Sequence, residues 1–315
     1  MYTSLNFLKL VYPPISNQLA EWLSEIDSVR EYVKHSKFYM LAQRHELFFS
    51  NYGVNQDLRE FYFDLECSSV KVTGLSVSIN QLIGDFFDEI EIEIGKQHVR
   101  IWDIQNKKGE PLYWATTDKI LYDFWRKRIN INGLDNVLPF TTFDLYYVGI
   151  SKDNDSFSRL FDSGHKNRLK ILSNETQYTP TARLTDELYI FLFDIEDLSV
   201  KQLNIDDFDI PCSLDKKRLV ADAEKAFIKL LDSKYNQVKY KNYPAGDDGL
   251  ANEGLTSYGY VIDEDITFKT STATIRGAHN TFNSPSNHPD LISIENDEVF
   301  FITSEMFESI NKNNA

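Results

Sequence analysis

The chain has 315 residues, 42% hydrophobic and 14% aromatic, which supplies enough apolar material for a packed core and argues against a disordered polymer. Its net charge of −15 argues against indiscriminate binding to nucleic acid, which needs many cations facing phosphates. Two cysteines, Cys67 and Cys212, stand far apart without CxxC spacing, so neither a zinc knuckle nor a disulfide framework is expected, and a reducing, cytoplasmic setting is the simplest reading.

The opening MYTSLNFLKLVYPP has no basic leader before an apolar run, so no signal peptide is expected, and no stretch reaches the uncharged apolar length of a bilayer span. Residues 16–34 place Leu19, Trp22, Leu23, Ile26, Val29 and Val33 near a 3.6-residue period, which predicts an amphipathic helix capped by Ser16 or Asn17. A second helical stretch is expected over residues 38–49. Residues 69–79 alternate around Val70 and Val72 as a strand. Residues 89–104 (EIEIEIGKQHVRIWDI) read as a hairpin turning at Gly95-Lys96, with one wet face. Thr117 or Asp118 then caps a helix, DKILYDFWRKR. The turn-rich NINGLDN at 130–136 marks the expected domain boundary.

The second half is expected to open with a strand pair ending in LYYVGI (145–150). Two short helices broken near Gly164 should follow, then a buried strand at 188–195 and a helix at 214–231. Residues 244–287 are rich in Gly, Asn, Ser and Thr, with a strand around 258–268, and 298–303 read as a last strand. The expected fold class is α/β (α+β): a small antiparallel sheet flanked by helices in the second half, preceded by an N-terminal α+β domain. The expected domains are 1–133, with a recognition or regulatory role; 134–243, carrying chemistry; and 244–315, a strand- and loop-rich extension packed on the second.

The helix at 214–231 carries an apolar stripe of Leu219, Val220, Ala223, Phe227, Leu230 and Leu231, with Glu224 on its edge. A carboxylate at a core border is costly unless a charged partner meets it; a lysine, bulk solvent or a divalent cation would serve, and hard oxygen ligands suit Mg²⁺. Between Asp215 and Lys241, eight basic residues face four acids, a basic segment in an acidic chain. Such a run commonly marks a solvated face. Lys216, Lys217, Lys239 and Lys241 are nevertheless candidates for phosphate contacts. His98, His279 and His288 lack metal-ligand spacing, and PAGDDGLANEG (244–254) reads as a loop without an EF-hand pattern.

Further residues stand in order around this helix: Tyr147-Val148-Gly149 at a strand end, Arg159 followed by Leu160, His165, then Glu224-x-x-Phe227-Ile228-Lys229 and Tyr235-Asn236. The ordered set resembles the GIY-YIG nuclease superfamily over roughly residues 138–243. The resemblance implies a nuclease domain with Tyr147, Arg159, His165, Glu224 and Asn236 as its catalytic residues, and Glu224 as the ligand of Mg²⁺ or Mn²⁺. Arg159 would neutralise charge on the phosphorus under attack, and Tyr147 or His165 would help deprotonate the attacking water, His165 having the reference pKa nearer neutrality. Asn236 would orient Glu224 or the backbone.

One position departs from the pattern. The family carries another tyrosine on the strand before YVG, and residues 134–144 contain none; Phe140 and Phe143 are the nearest aromatics, and Tyr146 should face away from Tyr147. Either Tyr147 suffices, or another group serves, or the domain is degenerate. The expected function is therefore a metal-dependent DNA endonuclease, of a restriction or antiviral-defence kind, working on nucleic acid without a membrane partner and open to homo-oligomer formation. The alternatives are a degenerate module that grips nucleic acid or protein without cutting, and a nuclease silenced by its own N-terminal domain.

Overall fold

The computed structural model describes residues 2–85, 89–106, 109–162, 164–201, 214–279 and 288–306. Cys212 and residues 280–287 of the Gly- and Asn-rich stretch therefore lie outside the described residues. The chain forms mixed α/β structure, with one large sheet, two small ones and helices, in two compact units. The division is not linear along the sequence. Unit 1 comprises residues 1–44, 142–176 and 184–315, and unit 2 comprises residues 45–141 and 177–183. Neither boundary falls at the 130–136 turn, because that turn is internal to unit 2: Asn132 exchanges backbone hydrogen bonds with Ser76.

Unit 1 opens with β1 (Tyr2–Leu10), β2 (Ile15–Ser16), α1 (Asn17–Leu23), α2 (Asp27–Val33) and β3 (Phe38–Gln43). Ser16 caps α1 by accepting from the Leu19 amide. The single helix expected over 16–34 is two, because Ser24 and Ile26 end the first and begin the second. The helix expected over 38–49 is instead β3 followed by the first strand of unit 2. All six residues of β3 are buried, so the run FYMLAQ is apolar without alternation, the pattern of a strand covered on both faces.

Unit 2 contains β4 (Leu47–Asn55), β5 (Glu60–Cys67), β6 (Val70–Ser78), α3 (Ile79–Ile83), β7 (Ile90–Ile94), β8 (His98–Asp103), β9 (Tyr113–Thr116) and α4 (Thr117–Trp125). Strands β4–β6 and β7–β9 form two antiparallel meanders. The hairpin read at 89–104 is β7–β8, closed by the Gly95 amide on the His98 carbonyl at 2.8 Å. Thr116, one residue before the expected cap, caps α4. Phe49, Phe61 and Phe63 form an aromatic core, with ring centroids 4.8–5.5 Å apart.

The chain returns to unit 1 with β10 (Thr142–Ile150), α5 (Ser156–Phe161), α6 (Lys166–Asn174), α7 (Leu184–Glu187), β11 (Leu188–Lys201), α8 (Lys216–Leu231), β12 (Ser257–Ile262), β13 (Thr267–Lys269), β14 (Thr274–Arg276), β15 (Leu291–Glu295) and β16 (Glu298–Ile302). The large sheet runs β14-β13-β10-β3-β11-β1-β12-β15-β16, with β2 on β11. It is mixed, since β1–β12 and β10–β13 are parallel. The expectation of a small antiparallel sheet thus gives way to a ten-stranded one that recruits the first and last segments of the chain. Residues 257–302 are not an extension laid on that sheet; they supply five of its strands. The strand pair expected before residue 150 is a single strand, β10, whose neighbours β3 and β13 come from elsewhere in the chain.

Strand β3 lies between β10 and β11, antiparallel to both. On one face Tyr39, Leu41, Ile190 and Leu192 pack with Ala20, Phe157, Leu160 and Ile171 from α1, α5 and α6. Phe38 alternates to the other face, where its ring meets Phe227 of α8 at 5.6 Å between centroids. Helices therefore cover both faces of the centre of the sheet.

Candidate functional site

The antiparallel register sets Tyr39 of β3 opposite Gly149 of β10, and Leu41 opposite Tyr147. Tyr39 and Tyr147 are thus diagonal neighbours across the ladder, with ring centroids 6.1 Å apart. Gly149 makes room for them. A Cβ built on it would lie 2.5 Å from Tyr147 Cε1 and 2.7 Å from Tyr39 Cζ and Oη, distances no real Cβ shows. The glycine of the YVG triplet is needed because two phenol rings occupy the space a side chain would take.

His165 closes the group. Its ring sits 5.6 Å from Tyr39 and 5.2 Å from Tyr147, and its Nε2 is 2.8 Å from Tyr39 Oη. It is also the N-cap of α6, its Nδ1 accepting from the Arg168 amide at 3.0 Å. Arg168 itself bonds Asn17 Oδ1 at 2.6 Å and lies 4.1 Å above the Phe161 ring, which ties the start of α6 to α1. Because Nδ1 accepts, a neutral ring carries its proton on Nε2 and donates to Tyr39. Burial, with Arg159 and Arg168 nearby, lowers the His165 pKa to about 4, so the ring is neutral at physiological pH. Both nitrogens are then engaged, and His165 has no free lone pair with which to take a proton from water. Of the two bases expected from sequence, the geometry removes His165.

Burial raises the Tyr147 pKa, and the neighbouring polar groups of Asn167 and Tyr39 oppose that rise without cancelling it. Burial also raises Tyr39, well above the usual phenol range. The charges of Arg159 and Glu224 act on both rings, with opposite signs. Arg159 lies near the end of α5 and is exposed.

Glu224 comes from α8, as the stripe-edge position predicts, and is half-buried. Burial lifts its pKa to about 7, against the opposing pull of Lys152 and Lys225, with Asp248 adding to the rise. Tyr240 is in turn pushed up to about 12, by burial first and by Glu224 next. Among the described residues no three His, Cys, Asp or Glu side chains gather into a cation cage. A single carboxylate fits a hydrated Mg²⁺ or Mn²⁺, which takes most of its shell from water and substrate phosphate.

Asn236 does not reach Glu224. Its Oδ1 accepts from the Val148 amide at 2.9 Å and its Nδ2 donates to the Val148 carbonyl at 2.8 Å. Ser233 Oγ also donates to Oδ1, at 2.6 Å. The neighbouring Tyr235 amide bonds the Tyr146 carbonyl at 3.0 Å. Residues 233–236 thus serve as a substitute strand for the open edge of β10, holding the backbone between Tyr147 and Gly149. A register shift between Leu145 and Tyr147 also upsets the expected alternation: Tyr146 and Tyr147 both adjoin the cluster around Tyr39.

The candidate lysines divide. Lys217 lines a cleft of about 770 Å³ beside α8, together with Lys37, Lys152, Lys216 and Arg218. Asp153, Asp247 and Asp248 line it too, and Lys216 is held by Asp194 at 2.8 Å and Arg218 by Glu253. Lys239 is used internally, on the Ser233 carbonyl at 2.7 Å and Asp232 at 2.8 Å. Lys241 borders a separate hollow with Tyr240 and Lys225.

Of the residues expected from sequence, Tyr147 and His165 stand together beside Tyr39, while Arg159 and Glu224 act on the two tyrosines through their charges. Sequence reasoning missed Tyr39, Asn167, Lys152 and Tyr240. Only Tyr39 left a usable signal, a tyrosine inside a fully apolar run. No helix among the described residues is long and apolar enough to cross a membrane. The chain matches no family model, no curated protein and no solved structure.

Proposed function

We propose that unit 1 is a metal-dependent endonuclease of GIY-YIG type whose two tyrosine strands are separated in sequence by almost the whole of unit 2. The carrying observation is Tyr39 beside Tyr147 and His165 across the β3–β10 ladder. The tyrosine missing from residues 134–144 has an equivalent on β3, which weakens the case for a degenerate binding module.

The substrate is a phosphodiester of DNA. Its scissile phosphate lies at the mouth formed by Tyr147, Arg159 and Glu224, and the cleft lined by Lys37, Lys152 and Lys217 takes neighbouring phosphates. His165 donates to Tyr39, and Tyr147, kept a neutral phenol by the burial that raises its pKa, holds the attacking water by a hydrogen bond while that water's proton passes to bulk solvent. Arg159 meets the charge that builds on the phosphorus oxygens. Asn236 fixes the backbone that aims Tyr147. Glu224 is the residue that would hold Mg²⁺ or Mn²⁺, which supplies Lewis-acid stabilisation of a phosphate oxygen and the leaving oxygen.

Incubation of the full chain with plasmid DNA and with RNA, with and without Mg²⁺ or Mn²⁺, tests the proposal. Cleavage that requires the cation and is lost in Glu224→Gln is the expected result. Cation-dependent cleavage by Glu224→Gln at the wild-type rate, or no cleavage under any of these conditions, contradicts it.

A further inference from the structure

Helix α8 carries a nearly buried lysine whose counter-charge is itself exposed. Lys225 Nζ binds Asp248 Oδ1; the lysine side chain is 9% exposed and the aspartate 71%. We propose that this ion pair is a displaceable gate: Asp248 occupies on Lys225 the seat of a nucleic-acid phosphate, and substrate opens the gate by taking that seat. This rests on the nuclease reading of unit 1 and adds a phosphate site apart from the cleft lysines already named.

Asp248 lines both the cleft of about 770 Å³ and the separate hollow of about 500 Å³, and Lys225 lines the hollow. The pair therefore stands where the two meet. The cleft side holds Lys152, which is exposed and makes no ion pair among the described residues, and the hollow side holds Lys241. The acid sits on a short exposed bridge, Asp247-Asp248, between two glycines. Gly246 has φ +155°, a conformation that side chains rarely adopt, and a Cβ on Gly249 would lie 2.4 Å from Asp222 Oδ2. The chain is pinned on either side of the bridge by one fully buried carboxylate of α8: the Tyr243 hydroxyl donates to Asp222 at 2.6 Å and the Leu250 amide donates to it at 2.8 Å. Asp248 can thus leave Lys225 by rotation at Gly246 while both anchors hold.

A lysine buried this deeply keeps its charge only with an anion against it. A carboxylate and a phosphodiester each carry one negative charge, so exchanging one for the other leaves Lys225 neutralised throughout. Asp248 gives up little, since its side chain already faces water. The exchange also joins cleft and hollow into one basic path, from Lys152 past Lys225 to Lys241. A free surface cation releases counterions when DNA arrives, whereas Lys225 only swaps a carboxylate of its own chain, so the gate leaves a signature in the salt dependence of binding.

The test is binding of a fluorescein-labelled DNA duplex to the full chain in EDTA, followed by anisotropy over a salt series, for wild type, Asp248→Asn, Asp247→Asn and Asp248→Asn combined with Lys225→Met. Asparagine keeps an acceptor for the lysine while removing the charge. The expected result is about three- to tenfold tighter binding in Asp248→Asn, with a salt slope steeper by about one, because Lys225 then holds a counterion to release. Asp247→Asn removes the same charge from the neighbouring exposed position and should shift binding far less, and Lys225→Met should abolish the gain. Both aspartates are exposed, so their comparison stands whatever Lys225→Met does to the thermal midpoint. Equal tightening in Asp247→Asn and Asp248→Asn overturns the gate, since net charge alone would then be responsible. Wild-type affinity and slope in Asp248→Asn, or a gain that survives Lys225→Met, also overturn it, and in each of these cases the nuclease reading stands. No DNA binding by either wild type or Asp248→Asn at any salt concentration overturns both.

Discussion

Gly149 faces Tyr39 directly across the β3–β10 ladder, and the ring of Tyr39 fills the volume that a Cβ at residue 149 would need. A residue from the start of the chain thereby explains a glycine in its middle. The relationship predicts that Gly149→Ala displaces one of the two phenols. Overpacking of this kind costs about 1–3 kcal/mol, so the variant should fold with reduced stability and lose most cleavage activity. Denaturant unfolding and a cleavage assay on the same preparation check both parts.

Asn236 is predicted to matter for stability more than for charge. Asn236→Ala leaves the Val148 amide and carbonyl without their partners at a buried position. Each orphaned group costs about 1–3 kcal/mol, so a loss of roughly 2–4 kcal/mol is expected if water enters in part. Asn236→Asp keeps an acceptor for the amide and loses the donor to the carbonyl, and should fall between. Urea midpoints of the three proteins give the order.

Glu224 and His165 give opposite pH signatures. The Glu224 pKa rises from its ordinary 4.5 to about 7, so the folded chain holds a proton that the unfolded chain has lost, and stability falls as pH rises through that window. Glu224→Gln removes this slope. The His165 pKa falls from 6.5 to about 4, so its contribution is present above 6.5 and is lost as pH drops toward 4. Unfolding curves of wild type, Glu224→Gln and His165→Gln between pH 4 and 7 should separate the two. Because the cation needs ionised Glu224, the metal requirement for cleavage should ease as pH rises through about 7.

Much of the site was legible because Tyr147, Arg159, His165, Glu224 and Asn236 lie on one continuous stretch in a recognisable order. Tyr39 was not, for two physical reasons. Unit 2 separates β3 from β10, so the partner strand is absent from the sequence just before YVG. In addition, β3 is buried on both faces, and FYMLAQ has no alternation to distinguish a strand from a helix. The large sheet was hidden by long-range pairing, since β1 joins β12 from more than two hundred residues away. The local elements α4, α5, α6, β11 and β16, whose signals are caps and short apolar runs, were readable.

The cleft beside α8 predicts a salt-dependent grip. Reversing Lys37 and Lys217 together, in the Glu224→Gln background so that no cutting occurs, should weaken oligonucleotide binding and reduce its salt slope by about one for each phosphate left without its lysine. Fluorescence anisotropy over a salt series measures this.

The most direct measurement is single-turnover cleavage by Tyr39→Phe, set against wild type and Tyr147→Phe in saturating Mn²⁺. The two hydroxyls act at one site, so each variant should lose about 10²–10⁴-fold in rate; Tyr39→Phe also leaves the buried His165 Nε2 proton without its acceptor and should lower the thermal midpoint. Wild-type cleavage by Tyr39→Phe, beside an inactive Tyr147→Phe, would contradict the claim that β3 supplies the second tyrosine of the site.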